Sequence, residues 1–192
     1  MIIDKFLTAE LETHIEVLKQ TAAECGATIY EITTSILQCF QRGNKLLLCG
    51  NGGSAADAQH VAAELVNRFR FDRPALPALA LTTDSSILTC IGNDSSFDFV
   101  FSRQVDALAK PSDILVGIST SGRSANVLNA LGAARAKGVT TIGFTGAKGR
   151  DRMSSKCDLC LVIPSTDTAR IQEAHEFVWH VICGVVEEEM FK

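Results

Sequence analysis

Apolar residues along the chain follow two different spacings, which alternate over most of its length. Five short runs are apolar at nearly every position, as strands of a parallel sheet buried on both faces must be. We predict strands at 45–50, 77–81, 113–119, 139–146 and 158–164. Stretches with helical spacing separate or follow them, at 54–69, 84–92, 97–109, 123–137 and 169–191. Strands and helices joined by short turns predict a doubly wound parallel α/β sheet.

The first 43 residues do not fit this alternation. Apolar positions at helical spacing predict a pair of helices at 4–22 and 26–42, with Gly43 as the stop. Because this pair precedes the first strand, we expect segment 1–43 and the apolar final helix to pack against other subunits. No linker or internal repeat divides the remainder, so residues 1–192 are predicted to form a single domain.

Composition and charge narrow the range of partners. Hydrophobic residues make up 46% of the chain, which favours apolar surface buried in an oligomer as well as in a core. The net charge of -4 gives no electrostatic case for binding nucleic acid. No basic, apolar leader is present, and no apolar run reaches the ~20 residues that span a bilayer. Seven scattered cysteines favour a cytoplasmic protein with reduced thiols, in which Cys157 and Cys160 are structural.

Two loops that follow predicted strands suit a phosphorylated ligand. Gly50–Ser54 is rich in glycine, which lets the backbone approach a ligand closely, and Ser119–Ser124 is rich in hydroxyls. A helix that begins near Arg123 adds free amides and the positive end of its dipole. A helix cap with a turn uses the same residue types, so that alternative remains open. Neither loop continues into GKS or GKT, and neither matches GxGxxG, so a nucleotide is disfavoured.

A second set of residues carries acid–base or metal chemistry. His60 and Glu64 are four positions apart on a predicted helix and share one face, which can overlook a ligand in the glycine loop. Gln172, His175 and His180 lie near the other end of the chain. We expect His175, among polar neighbours, at the surface, whereas His180 lies in an apolar run and needs a partner or a function. The set fits a metal site or an acid–base pair, although each residue alone is more often structural.

The spacing of Gln172 and His180 limits how they can cooperate. Eight residues on a regular helix separate them by ~12 Å along the axis and ~80° around it. One metal ion meets both only if the side chains stretch toward a point between them. Otherwise the helix is irregular near Gln172, or a neighbouring subunit contributes a ligand. The sequence leaves these alternatives open.

Four motifs together resemble a known family. In chain order they are CGNGGSAADAQHVAAEL, GNDSSFDFVFSRQV, GISTSGRSANV and ARIQEAHEFVWH, and the likeness covers essentially the whole sequence. The chain resembles the bacterial phosphoheptose isomerases of the sugar isomerase (SIS) family. The resemblance implies a five-stranded parallel sheet and a homotetramer with active sites near subunit boundaries. It also implies conversion of sedoheptulose 7-phosphate to D-glycero-D-manno-heptose 7-phosphate through an enediol, in ADP-heptose precursor synthesis. Whether that pathway serves lipopolysaccharide or another glycoconjugate stays open.

The resemblance also implies roles for individual residues. The sugar would be held by Asn51, Gly52, Gly53, Asn93 and Asp94, with Glu64 and Gln172 also in contact, and the phosphate by Ser119, Thr120, Ser121 and Ser124. One zinc ion per subunit would be bound by His60, Glu64, Gln172 and His180, with Glu64 and His180 as acid–base catalysts. A carboxylate bound to zinc is a weaker base. Whether Glu64 acts as the catalytic base or only as a zinc ligand therefore stays open. Ala169 stands where some members have aspartate, so any polar role there is absent or passes to Asp167.

Two other functions fit parts of the pattern. The DnaA initiator-associating proteins share the fold, the tetramer and the ARIQE stretch, but regulate replication initiation by binding protein. That group lacks the acid at position 64 and the histidine at position 180, and both are present here. A catalytically silent sugar-phosphate sensor would keep the serine loop but has no need of His60, Glu64 and His180 together. The enzyme is therefore the favoured function.

Overall fold

The computed structural model describes residues 2–192 and has a central sheet of five strands. They are β1 (Leu46–Gly50), β2 (Ala78–Ala80), β3 (Ile114–Ile118), β4 (Thr140–Gly146) and β5 (Leu159–Ile163). All pairs are parallel, and the order across the sheet is β2-β1-β3-β4-β5. Each strand lies within a predicted run, and the predicted doubly wound α/β sheet is confirmed.

Within residues 2–192, seven α-helices connect and flank these strands. They are α1 (Ile2–Gln41), α2 (Gly53–Val66), α3 (Ser85–Asp94), α4 (Ser102–Leu108), α5 (Ala125–Ala136), α6 (Arg150–Ser154) and α7 (Thr168–Phe191). Within the described residues, no helix is both long enough and apolar enough to pass through a bilayer.

The sheet separates two hydrophobic cores. Side chains alternate between the faces of a strand, so Leu46 and Leu48 of β1 pack with α1, α2 and α7 on one side. Leu47 and Cys49 face the other way and join the core beneath α4 and α5. All five residues of β1 are buried, which explains why the strands read as continuous apolar runs rather than alternating ones.

The N-terminal segment is one continuous helix, and the prediction of a helical pair was wrong. The predicted break, at residues 23–25, lies inside α1, and so does the neighbouring Gly26. A glycine within a helix costs about 1 kcal/mol relative to alanine. Burial of neighbours such as Cys25, Ile32 and Ile36 against the core outweighs this cost, because each apolar side chain contributes about 1.5–3 kcal/mol.

Two local elements also differ from the prediction. The helix predicted at 97–109 is interrupted, because a short 3-10 turn at Phe97–Phe99 precedes α4. Ser96 accepts a hydrogen bond from the Asp98 amide at the start of that turn, and such local bonds compete with a regular helix. The five-residue α6 was not predicted, because its polar sequence carries no helical spacing of apolar residues.

The strand order brings the two candidate ligand loops together. Between β1 and β3 the order of connection reverses, and open α/β sheets bind ligands at such a point, beyond the carboxyl ends of the strands. Gly50 at the end of β1 is in register with Ile118 at the end of β3. The glycine loop and the serine loop therefore leave the sheet side by side.

Candidate active site

The glycine loop sets the start of α2 against α7. Gly52 has a φ of 55°, in the left-handed region that favours glycine, and it immediately precedes the helix. At Gly53 a Cβ would collide with the side-chain amide of Gln172. Gly52 therefore allows the turn, and Gly53 leaves room for the side-chain amide of Gln172 against the start of α2.

The serine loop uses only part of its hydroxyl set for its own structure. Ser124 stands at the N-cap of α5 but makes no side-chain cap bond, and its Oγ lies 3.0 Å from that of buried Ser119. The exposed Ser121 accepts a 3.3 Å hydrogen bond from the Arg123 amide. Helix capping therefore accounts for little of this loop, and its hydroxyls stand at the N-terminus of α5, where anions bind.

A pair of amide side chains joins the two loops. Asn51 follows β1, and Asn126 lies in the first turn of α5. Each Nδ2 donates to the other residue's Oδ1, and both hydrogen bonds are 2.9 Å long. The reciprocal pair fixes the spacing between the loops, so a ligand that contacts one lies beside the other.

A cluster of histidines and carboxylates lies between α2 and α7. The Nε2 atoms of His60 and His180 are 3.1 Å apart. Oε1 of Glu64 is 3.7 Å from Nε2 of His60. Oε2 of Glu176 lies 3.8 Å from His60 Nε2 and 3.9 Å from His180 Nε2. The structure thus brings together three of the four residues expected to bind metal, and adds Glu176, which sequence analysis missed.

The donor atoms of this cluster fit a metal ion. His60, Glu176 and His180 each offer one ligand atom, and these atoms all lie within 4.8 Å of one another. Imidazole nitrogen and carboxylate oxygen are ligands that zinc accepts. The buried Oε2 of Glu64 has no hydrogen-bond partner among the described residues, so it is free to bind a cation or a proton.

Gln172 is directed to a different partner. Its Nε2 donates a 3.1 Å hydrogen bond to Oδ1 of Asp57, which is only 2% exposed. Burial, reinforced by a hydrogen bond with the Glu176 carboxyl, raises the pKa of Asp57 to about 7. Sequence analysis missed Asp57, although it lies three residues before His60 on α2, a spacing that puts both on one face.

A buried ion pair supports both sides of the cluster. Arg73 and Glu187 are 2% and 1% exposed, with Nε and Oε1 3.1 Å apart. Glu187 also accepts from the amides of Phe69 and Arg70, and Arg73 donates to the carbonyl of Glu64. The Phe69 ring stacks on His180 at a centroid distance of 5.6 Å. The ion pair thus holds the end of α2 through the Glu64 carbonyl, and holds Phe69, whose ring packs on His180.

His175 is buried, and the prediction of a surface position was wrong. It lies on the face of α7 that packs on the sheet, with its ring edge-on to Phe144 at 5.5 Å. The polar neighbours in sequence point elsewhere because consecutive helical residues are 100° apart. Its Nε2 is 3.4 Å from the Thr145 carbonyl, and burial lowers its pKa to about 4.

This burial predicts a pH dependence of stability. The unfolded chain protonates His175 near pH 6.5 and the folded chain only near pH 4, so acid favours the unfolded state between these values. The unfolding free energy should fall by about 3 kcal/mol over that range. Denaturant titrations at successive pH values measure this fall in the unfolding free energy. The fall should disappear in His175→Gln and should remain in the control His14→Gln, at a partly exposed histidine. Equal pH slopes in wild type and His175→Gln would contradict the prediction.

Three further positions lie at the end of α3 and at the start of α7. Asn93 and Asp94 end α3, where the Asn93 amide donates to the Asp94 carboxylate, and both are exposed. Their contact with a sugar remains a prediction. Asp167 caps α7 by accepting from the amides of Ala169 and Arg170. Asp167 therefore stabilises the start of α7. Nothing in this contact supports the alternative that Asp167 replaces the aspartate that some family members have at position 169.

Comparison with known proteins identifies the same family as the sequence motifs. The family model described as "SIS domain" matches residues 11–146. A phosphoheptose isomerase from Roseiflexus sp. is 53% identical over 188 residues, covering 98% of this chain and 95% of that protein. A solved phosphoheptose isomerase from Neisseria gonorrhoeae is 41% identical, with a TM-score of 0.90 and coverage of 97% and 99%. One from Francisella tularensis is 35% identical, with a TM-score of 0.92 and coverage of 98% and 99%.

Proposed function

The chain belongs to the phosphoheptose isomerases of the SIS domain family, and from this premise we propose that it converts sedoheptulose 7-phosphate to D-glycero-D-manno-heptose 7-phosphate. It is a sugar phosphate isomerase, and the specific heptose and its use in ADP-heptose precursor synthesis are the proposal. The observation that carries it is the arrangement of the site. Asn51 and Asn126 join a hydroxyl-rich loop to the loop from which α2 carries His60 and Glu64.

The serine loop would bind the phosphate. Ser119, Thr120, Ser121 and Ser124 supply neutral hydroxyl donors, and the N-terminus of α5 supplies amides and a positive dipole end. This arrangement binds an anion without a lysine, in keeping with a net charge of -4. Binding at the phosphate would hold the sugar chain so that its carbonyl end lies toward α2 and α7.

The reaction requires two proton movements. A proton leaves carbon 1 of the ketose and one is added at carbon 2, while the hydroxyl proton on oxygen 1 is lost and oxygen 2 gains one. Glu64 is suited to remove the proton from carbon 1, because its buried Oε2 has no hydrogen-bond partner among the described residues. His180, with its Nε2 3.1 Å from that of His60, suits transfer between the two oxygens, because an imidazole ring has two nitrogens, one of which can donate a proton while the other accepts one.

Zinc is part of the proposal. His60, Glu64, Gln172 and His180 would hold it, and when bound it would polarise the substrate carbonyl. Gln172, whose Nε2 donates to Asp57, would also contact the substrate.

A homotetramer is also proposed. The first turns of α1 expose apolar side chains, among them Phe6 at 67% and Leu7 at 67%, and α7 exposes Val181 and Val185. Surfaces of this kind are stable in water when another subunit covers them. Light scattering at micromolar concentration measures the assembly.

The function is tested by proton NMR of sedoheptulose 7-phosphate with the protein in D2O, with and without added zinc. We expect an aldose product that carries solvent deuterium at carbon 2. A folded protein that forms no aldose in either condition would contradict the proposal and favour a regulatory role through protein binding.

Ser121→Ala is expected to raise KM about 10-fold or more with little change in kcat. A hydrogen bond to a charged group contributes about 1.5–3 kcal/mol, and the phosphate is bound equally in the ground and transition states. Steady-state kinetics measure the split, with Ser155→Ala, at another exposed hydroxyl, as the matched control. If Ser121→Ala instead unfolds the protein, the hydroxyl serves the turn at Arg123 rather than the substrate.

A further inference from the structure

We propose that Cys157 and Cys160 form a redox-active pair, in which a hydroperoxide oxidises Cys160 and Cys157 then closes a reversible disulfide with it. Sequence analysis predicted only a structural role for these two cysteines of the CDLC motif. They lie at the amino end of β5, whereas the candidate active site lies beyond the carboxyl ends of the strands. The inference is therefore independent of the proposed isomerase function.

A bend in the chain places the two cysteines on one face of the sheet. Residues three apart in a regular strand face opposite sides, but this chain bends at Asp158. The bend is held by Thr141, whose carbonyl accepts from the Asp158 amide at 2.9 Å and whose amide donates to the Asp158 carboxylate at 2.8 Å. Cys160 is in register with Gly143 of β4, and a Cβ at Gly143 would lie 2.9 Å from Cys157 Sγ. The space left by Gly143 is where the two thiols meet and form a hydrogen bond.

The two thiols differ in their access to solvent. Strand β5 lies at the edge of the sheet, and the five-residue α6 packs over the pair. Cys157 is buried, with its Sγ 3.2 Å from the Met153 carbonyl oxygen, whereas Cys160 is partly exposed. A small hydroperoxide therefore meets Cys160 first, with Cys157 beside it as the second thiol.

The surroundings of Cys160 favour its thiolate. Its hydrogen bond with Cys157 is the largest of the effects that lower the pKa of the Cys160 thiol to about 7 despite burial. The Ser154 hydroxyl and the Arg150 charge add to this effect. The same hydrogen bond, together with burial, raises the pKa of Cys157, which keeps Cys157 a thiol. A reactive thiolate beside a second thiol is the arrangement found in redox-sensing cysteines.

The other five cysteines provide an internal reference. Four of them are buried with a pKa raised by burial, namely Cys25, Cys39, Cys49 and Cys183. The fifth, Cys90, is exposed, and its Sγ donates to the Asp94 carboxylate at 3.6 Å. If exposure alone decided reactivity, Cys90 would be oxidised first, whereas the pair predicts that Cys160 is.

The proposed chemistry consumes one hydroperoxide for each pair. The Cys160 thiolate attacks one oxygen of hydrogen peroxide, the O–O bond breaks, and the other oxygen takes a proton from solvent and leaves as water. The Cys157 sulfur then attacks the sulfur of the resulting sulfenic acid, and the hydroxyl leaves as water with the Cys157 proton. The two cysteines lose two electrons, and the peroxide gains them. An added dithiol restores both thiols by exchange.

The experiment treats the reduced full-length protein with hydrogen peroxide at neutral pH. Alkylation blocks the remaining thiols, and peptide mass mapping locates each oxidised cysteine. The variants are Cys160→Ser and Cys157→Ser, with Cys90→Ser as the control at an exposed cysteine. Cys157→Ser keeps a hydroxyl that can donate to Cys160 but removes the second sulfur. Thermal melts of the reduced variants check folding, and the mapping of wild type needs no variant.

In wild type we expect an intramolecular disulfide between Cys157 and Cys160, formed before Cys90 reacts and reversed by dithiothreitol. Cys160→Ser should lower the initial rate of thiol loss about 10-fold or more, because an ordinary cysteine is only a few per cent thiolate at neutral pH. Cys157→Ser should stop at a sulfenic acid on Cys160, which dimedone traps, and Cys90→Ser should match wild type. The inference is overturned if Cys90 is oxidised first, if wild-type Cys160 proceeds to sulfinic acid without a disulfide, or if the disulfide joins two chains. None of these readouts depends on isomerase activity.

Discussion

Glu64→Gln is expected to lower kcat by about 10²–10⁴-fold, the usual contribution of a positioned general base. The substitution keeps the size of the side chain and removes the carboxylate that would take the proton from carbon 1. The fold should persist, because the Glu64 contact with Arg73 is made by its backbone carbonyl rather than its side chain. Isomerisation followed by NMR gives the rate, and Glu31→Gln, at an exposed acid of α1, is the matched control.

The same variant separates the two roles open to Glu64. If Glu64→Gln loses activity and still binds one zinc per subunit, the carboxylate acts as the base. If zinc and activity are lost together, Glu64 serves as a ligand. A variant with wild-type turnover would remove Glu64 from the mechanism altogether.

Glu187→Gln is expected to lower the unfolding free energy by about 3–5 kcal/mol, because it leaves the buried Arg73 guanidinium without its counter-charge. It also weakens the acceptors for the amides of Phe69 and Arg70. Denaturant titration at neutral pH measures the loss. Glu188→Gln, at the next residue, exposed and paired with Lys192, should change stability by less than about 1 kcal/mol.

The sign of the pH effect provides an additional check. Burial alone would raise the pKa of Glu187, but the two amides and Arg73 more than compensate, so its pKa lies below the usual value of 4.5. Its stabilisation is therefore present above pH 4.5 and is lost as the pH falls through the folded pKa. If Glu187→Gln and Glu188→Gln were equally stable at neutral pH, the ion pair would have no structural importance.

The strands were predictable because burial on both faces leaves a continuous apolar run, as in β1 with all five residues buried. The single α1 was not, because the spacing of apolar residues was read as two helices at 4–22 and 26–42, whereas the core packed beneath residues 23–25 keeps the helix continuous. The turn at Phe97–Phe99 depends on a hydrogen bond from the Asp98 amide to the Ser96 hydroxyl. Such a local bond leaves no periodic pattern of apolar residues in the sequence, so it could not be predicted.

The site was predictable where spacing along one helix defined it, as for His60 and Glu64. Asp57 and Glu176 were missed because their importance comes from contacts across helices. Asp57 accepts a hydrogen bond from Gln172 of α7, and the Glu176 carboxylate lies 3.8 Å from the imidazole of His60 on α2. His175 was assigned to the wrong face because its neighbours in sequence were weighed instead of its angular position on α7.

The pairing of α2 with α7 has a consequence for synthesis on the ribosome. His60 and His180 are 120 residues apart in the chain, and the Phe69 amide and the Glu187 carboxylate to which it donates are 118 residues apart. At about 5–20 residues per second, several seconds pass between translation of the two halves of the site. Helix α1 is translated well before α7, on which it packs. Until α7 has emerged from the ribosome, a nascent chain therefore carries an uncovered apolar face on α1 and an incomplete cluster of histidines and carboxylates.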